Sequence, residues 1–125
     1  MNINASKIQD AELEVMRVLW NAGGTMPLTQ IRWLLSARCG WEDSTIKTLI
    51  RRLKLKGAVK TEGRGVYTAI VTEEEYSQWS THVFINKLFA GSAKNLVASL
   101  VSDGQLSEDD IKELSAMFHS GDMHE

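Results

Sequence analysis

The chain has a single cysteine, Cys39, so no internal disulfide framework can form and no paired-cysteine metal spacing exists. A lone thiol fits a reducing compartment. Histidines are also few: His82, His119 and His124 all lie in the carboxy-terminal half, away from Cys39. No motif sets a nucleophile beside a base, and no glycine-rich phosphate loop follows a strand. These absences argue against an enzyme. No apolar run is long enough to span a bilayer, and the polar amino terminus, MNINASKIQDAE, lacks the apolar stretch of a secretory signal. The expectation is a cytoplasmic protein that does not enter a membrane.

What is present is an ordinary globular composition with an uneven distribution of charge. Of the 125 residues, 43% are hydrophobic and 24% charged, which suggests one domain or two small lobes. Residues 1–71 hold 11 Lys and Arg against 6 Asp and Glu, a charge of +5; residues 72–125 hold 3 against 10, a charge of −7. The stretch STIKTLIRRLKLKGAVKTEGRGVY gathers Lys47, Arg51, Arg52, Lys54, Lys56, Lys60 and Arg64 against one acid, Glu62. Such asymmetry points to one half facing nucleic acid and another kept away from phosphates.

The periodicity predicts three short helices and a hairpin in the basic half. Asp10 opens the first helix, with Leu13, Met16, Val18, Leu19 and Trp20 on its apolar side and Glu12, Glu14 and Arg17 facing elsewhere. NAGG at 21–24 stops it. The second starts around Pro27, a favoured first-turn residue, and turns Leu28, Ile31, Leu34 and Leu35 inward. The third begins after Trp41, with Glu42, Asp43 or Ser44 as its cap and Gly57 as its stop. Two β-prone runs, AVKTE and VYTAIV, then flank Gly63-Arg64-Gly65, a tight-turn signal. The order is that of a winged helix-turn-helix. In the acidic half, Thr72 with Glu75 and Ser107 with Asp110 read as capping boxes, and three apolar stripes mark three further helices. The fold expected is mainly α with a small β-wing: a winged helix-turn-helix DNA-binding domain over 1–71, then a helical dimerisation domain over 72–125.

On a helical wheel, Ile46, Leu49, Ile50 and Leu53 form the core face of the third helix, while Ser44, Thr48 and Arg51 fall opposite, flanked by Lys47 and Arg52. Short hydroxyls approach base edges, and Arg and Lys reach guanines and phosphates. Lys54 lies in the same basic run, and Arg64 at the hairpin tip is placed to touch a phosphate or enter a minor groove. The plainer readings are a solvated basic helix and a solvated turn. Leu55 also points outward, with packing beneath the wing as one reading. Trp20, Trp33 and Trp79 lie on or near apolar stripes, so core packing is expected of them. At the terminus His119, Asp122, Met123 and His124 are residue types that bind metals, and a frayed polar tail is the simpler reading.

Asp10-Ala11-Glu12 with Met16 and Trp20, the run from Trp41 to Gly57, and KGAVKTEGRGVYTAIVT together resemble the BlaI/MecI/CopY family of bacterial repressors, across residues 8–118. The resemblance implies a homodimeric winged-helix repressor on palindromic TACA–TGTA operators, with Thr45, Lys47, Thr48 and Arg51 in the recognition helix and Arg64 in the wing. It also implies two routes of release. β-lactam-responsive members are cleaved at an Asn-Phe pair, where this chain has Ser99-Leu100; copper-responsive members carry a CxCxxxxCxC tail for copper or zinc, which this chain lacks. The inducing signal is left open between the two, KGAVKTE leaning toward the copper branch.

Tyr76, Trp79, Val83, Phe84, Leu88, Leu96, Leu100, Ile111, Leu114 and Phe118 would form a large exposed patch in a monomer, so a homodimer on an inverted repeat of double-stranded DNA is expected. The competing reading is a winged-helix module that docks an acidic protein without specific DNA binding. It would want exposed aromatics rather than hydroxyls alternating with Arg and Lys.

Overall fold

In a computed structural model the described residues are 8–120. Along them run α1 (Asp10–Asn21), β1 (Thr25–Pro27), α2 (Leu28–Cys39), α3 (Asp43–Leu55), β2 (Val59–Thr61), β3 (Val66–Ala69), α4 (Glu73–Phe89), α5 (Ala93–Ser102) and α6 (Glu108–Ser120). His124, Asp122 and Met123 lie outside the described residues.

Capping chemistry sets most helix starts. Gln9 and Glu12 cap α1 reciprocally, the Gln9 N–H donating to Glu12 Oε1 at 3.1 Å. Before α4 the Thr72 N–H donates to Glu75 Oε1 at 2.9 Å while the Glu75 N–H returns to Thr72 Oγ1 at 3.0 Å. Ser107 and Asp110 exchange the same pair of bonds at α6, both at 3.0 Å, and Ser92 Oγ accepts from the Asn95 N–H at α5. The terminating glycines include Gly24 at φ 105° and Gly57 at φ 79°, conformations that a Cβ disfavours.

The wing has three strands, not the expected two. The antiparallel order is β1-β3-β2, with Met26 opposite Tyr67 and Lys60 opposite Thr68. Thr25 and Thr68 share a hydroxyl hydrogen bond of 2.9 Å. Pro27 ends β1, an edge strand where its missing N–H breaks no ladder, and stands as the N-cap of α2 rather than inside its first turn. The Leu28 N–H donates to the Gly65 carbonyl at 2.7 Å, which ties the start of α2 to the tip of the wing.

The fold divides into two compact units between Thr81 and His82, within α4. The first has a continuous core of Val15, Met16 and Leu19 from α1, Ile31 and Leu35 from α2, Ile46, Leu49, Ile50 and Leu53 from α3, Met26 from β1, Val59 from β2, and Val71, with Tyr67 and Ala69 of β3 packed against it. Tyr76 and Trp79, expected on the dimerisation stripe, pack against this core. A ladder of aromatic contacts runs Trp20–Tyr76 at 5.9 Å and Tyr76–Trp79 at 6.1 Å, and Trp20 Nε1–H donates to the Val71 carbonyl at 2.9 Å. The opening turns of α4 therefore belong with the winged unit.

Two expectations about this unit are corrected. Glu12 does not face solvent: it is 2% exposed, and its Oε1 accepts from Lys56 Nζ at 2.5 Å as well as from the Gln9 N–H. An apolar environment tolerates the carboxylate only because its partners surround it. Trp33 is not core: it is 72% exposed on α2, whose inward face is filled by Ile31 and Leu35.

In the second unit none of the described residues is buried. Val83, Phe84, Leu88, Val97, Val101, Ile111, Leu114, Met117 and Phe118 are all exposed large apolar side chains. Phe84 and Phe89 make a ring contact at 5.9 Å along α4.

Lys56→Met is expected to lower unfolding stability by about 3 kcal/mol, at the low end for a broken buried pair because the Lys56 side chain reaches water. Urea denaturation followed by circular dichroism measures this; an unchanged midpoint would mean that the pair contributes nothing.

Candidate nucleic-acid interface

The geometry of the basic surface follows from how α3 is buried. Its hydrophobic side chains Ile46, Leu49, Ile50 and Leu53 enter the core, so the helical period turns the row Ser44, Thr48, Arg51 to the opposite side. Ser44, Thr45, Lys47, Arg51, Arg52 and Lys54 are exposed and Thr48 is half-buried. Ser44, Thr45, Thr48 and Arg52 border a shallow hollow along this face. Of the seven basic residues in the stretch, two have acidic partners: Lys56 on Glu12, and Lys60 on Glu62 at 3.5 Å. No ion pair among the described residues engages Lys47, Arg51, Arg52, Lys54 or Arg64.

Arg64 sits at the hairpin tip, exposed, between Gly63 at φ 77° and Gly65 at φ 69°. Those left-handed conformations fold the tip tightly, and the Glu62 N–H closes it on the Val66 carbonyl at 2.7 Å. Lys54 reaches back toward the wing, its Nζ 6.0 Å from the centre of the Tyr67 ring. Leu55 does not pack under the wing: it is 81% exposed.

One element of the interface was not read from the sequence. Arg32 on α2 forms an ion pair and hydrogen bond with Asp43 in the first turn of α3. The bond from Arg32 holds the Asp43 carboxyl below the usual carboxylate range, its charge and that of Lys47 adding to the effect. The same bond raises the guanidinium above its ordinary value. The signal was an Arg and an Asp on either side of the short connection between two helices, visible once their turn is drawn. An acid at the amino end of a helix is also favoured by the helix dipole.

Among the described residues no group of three or more His, Cys, Asp or Glu is arranged to hold a metal. His119 lies edge-on to Phe118 at 5.9 Å, and Cys39 is half-buried against the core. No helix among these residues is long and apolar enough to cross a membrane.

Residues 8–120 match the penicillinase repressor family. The chain belongs to that family. Its members are transcriptional repressors, not enzymes, and this chain is a repressor of that family. It is 34% identical over 111 residues to the penicillinase repressor of Bacillus licheniformis, covering 86% of each chain. It is 32% identical over 117 residues to the methicillin resistance regulatory protein MecI of Staphylococcus aureus strain N315, covering 91% of this chain and 94% of that one. Among solved structures it is similar to the solution structure of the DNA-binding domain of the repressor BlaI, with 40% identity, a TM-score of 0.49, and coverage of 56% of this repressor and 88% of that chain.

Because its pKa is lowered in the fold, Asp43 contributes stability above the ordinary carboxylate value, lost only as pH falls through the lowered one. Carbon-detected NMR titration is therefore expected to find Asp43 titrating below the ordinary carboxylate range in the repressor, and closer to that range in Arg32→Ala, where only the charge of Lys47 still lowers it. Identical Asp43 titrations in both proteins would contradict this.

Proposed function

We propose that this repressor acts as a homodimer on an inverted-repeat operator, reading base edges with α3 and clamping the backbone with the wing. The observation that carries the reading is the outward row of α3. Hydroxyls of Ser44, Thr45 and Thr48 lead, Lys47, Arg51, Arg52 and Lys54 follow, and among the described residues no ion pair engages those cations. A hydroxyl-then-arginine face suits a major groove, whose bases offer acceptors that Arg engages in pairs. Arg64 on its tight turn suits a phosphate or a minor groove. Similarity to proteins named as a penicillinase repressor and a methicillin resistance regulatory protein supports a regulatory role.

Dimerisation is supported by the second unit. About 40 residues bury too little surface to be stable alone, and Val83, Phe84, Leu88, Ile111, Leu114 and Phe118 are exposed while Leu96 and Leu100 are only half-buried. A two-fold partner would cover these side chains with their own copies and set two recognition helices about 34 Å apart along the duplex.

Arg51→Ala is expected to weaken operator binding by about 1–3 kcal/mol and to relax the preference at one base pair. Lys47→Ala, acting through a phosphate, is expected to weaken all sequences alike and to lower the salt slope by about one unit. Fluorescence anisotropy over a salt series measures both; unchanged affinity in two folded variants would mean that a different face meets DNA. Leu96→Asp with Leu100→Asp is expected to abolish operator binding and yield monomers in sedimentation. A stable micromolar monomer that still grips an inverted repeat would overturn the dimer.

A further inference from the structure

Between α3 and the wing lies a cleft of about 490 Å³, within the size range of small-ligand sites. Leu28, Ile50, Leu55 and Tyr67 give it apolar walls, and Lys47, Arg51 and Lys54 supply three cations. Among the described residues no acid lines it, and no ion pair engages any of the three. Leu55 is 81% exposed and stands as one wall of the cleft. Apolar walls and cations of one sign define a ligand by complementarity.

We propose that this cleft binds a small organic anion with an apolar body, and that its occupation displaces operator DNA. The second half rests on the reading of α3 as the DNA-reading helix. Three cations lining one cleft favour an anion there, and a nucleic-acid phosphate or a carboxylate or sulfonate can each meet them. Lys47 and Arg51 cannot serve both at once, so the two ligands exclude each other. Selectivity over inorganic anions comes from the walls: an aromatic or alkyl body covers Leu55, Leu28 and Tyr67, whereas sulfate covers nothing. Such a ligand would relieve repression without a metal-binding tail and without cutting the chain.

The test uses the full chain and the probe 1-anilinonaphthalene-8-sulfonate, whose fluorescence rises in an apolar site. Saturable binding is expected, reversed by an operator duplex and not by equimolar sodium sulfate. Leu55→Ser is expected to weaken the probe on the order of tenfold while its circular dichroism and operator affinity stay as in the parent, because the side chain is exposed. The exposed side chains of the second unit can also take up this probe, so the variant decides. Equal probe affinity in Leu55→Ser and the parent overturns the site, as does displacement by sulfate at the same concentration. Loss of the probe in Leu55→Ser from a protein that binds no DNA would keep the ligand site and reject the DNA reading instead.

Discussion

The burial of one face of α3 is the constraint on which the interface depends. Ile46, Leu49, Ile50 and Leu53 are nearly or wholly removed from water. Each such side chain is stabilised by about 1.5–3 kcal/mol relative to exposure, so rotating the helix by even one residue would forfeit several kcal/mol. That penalty fixes the outward row. Ser44, Thr48 and Arg51 face out because their neighbours cannot, and the hydroxyl-then-arginine order along the helix becomes a fixed pattern in space.

Two ion pairs hold the ends of this helix, and their environments differ. At the carboxy end, Lys56 reaches Glu12, buried on α1; at the amino end, Arg32 on α2 meets Asp43 at the surface. The buried pair is worth little in net stability, since desolvating both charges costs about as much as their attraction returns, but losing one partner would strand the other. It acts as a specific latch between α1 and α3. The surface pair is weaker, screened by solvent, and sets how the amino end of α3 leaves the turn. A single helix is thereby positioned by apolar packing along its length and by charge at both ends.

Local chemistry made much of this legible in the sequence. The wheel of α3, the glycines around Arg64 and the capping pairs at Thr72 and Ser107 depend on residues within a few positions of one another, and each appears in the structure as read. What was missed depends on distant partners. β1 has three residues, too few for a period, and exists only because β3 offers an edge some forty residues later. The buried setting of Glu12 depends on its cation, Lys56, 44 positions away. Trp33 looked like core because aromatics usually are, but Ile31 and Leu35 already fill the inward side of α2. Tyr76 and Trp79 continued an apolar stripe in sequence, yet the ring of Trp20 draws the first of them to the winged core.

The winged unit encloses a core of its own, and the second unit buries none of its described residues. That contrast links stability to function in the proposed dimer: the side chains that α5 and α6 leave uncovered are the ones a two-fold partner would bury, and two-fold symmetry in the protein demands it in the DNA. The most direct measurement is selection of bound duplexes from a randomised pool at physiological salt, followed by sequencing. An enriched inverted repeat with half-sites about one helical turn apart, or a multiple of it, is expected. Recovery of duplexes with no common sequence, or of a single unrepeated half-site, would contradict it.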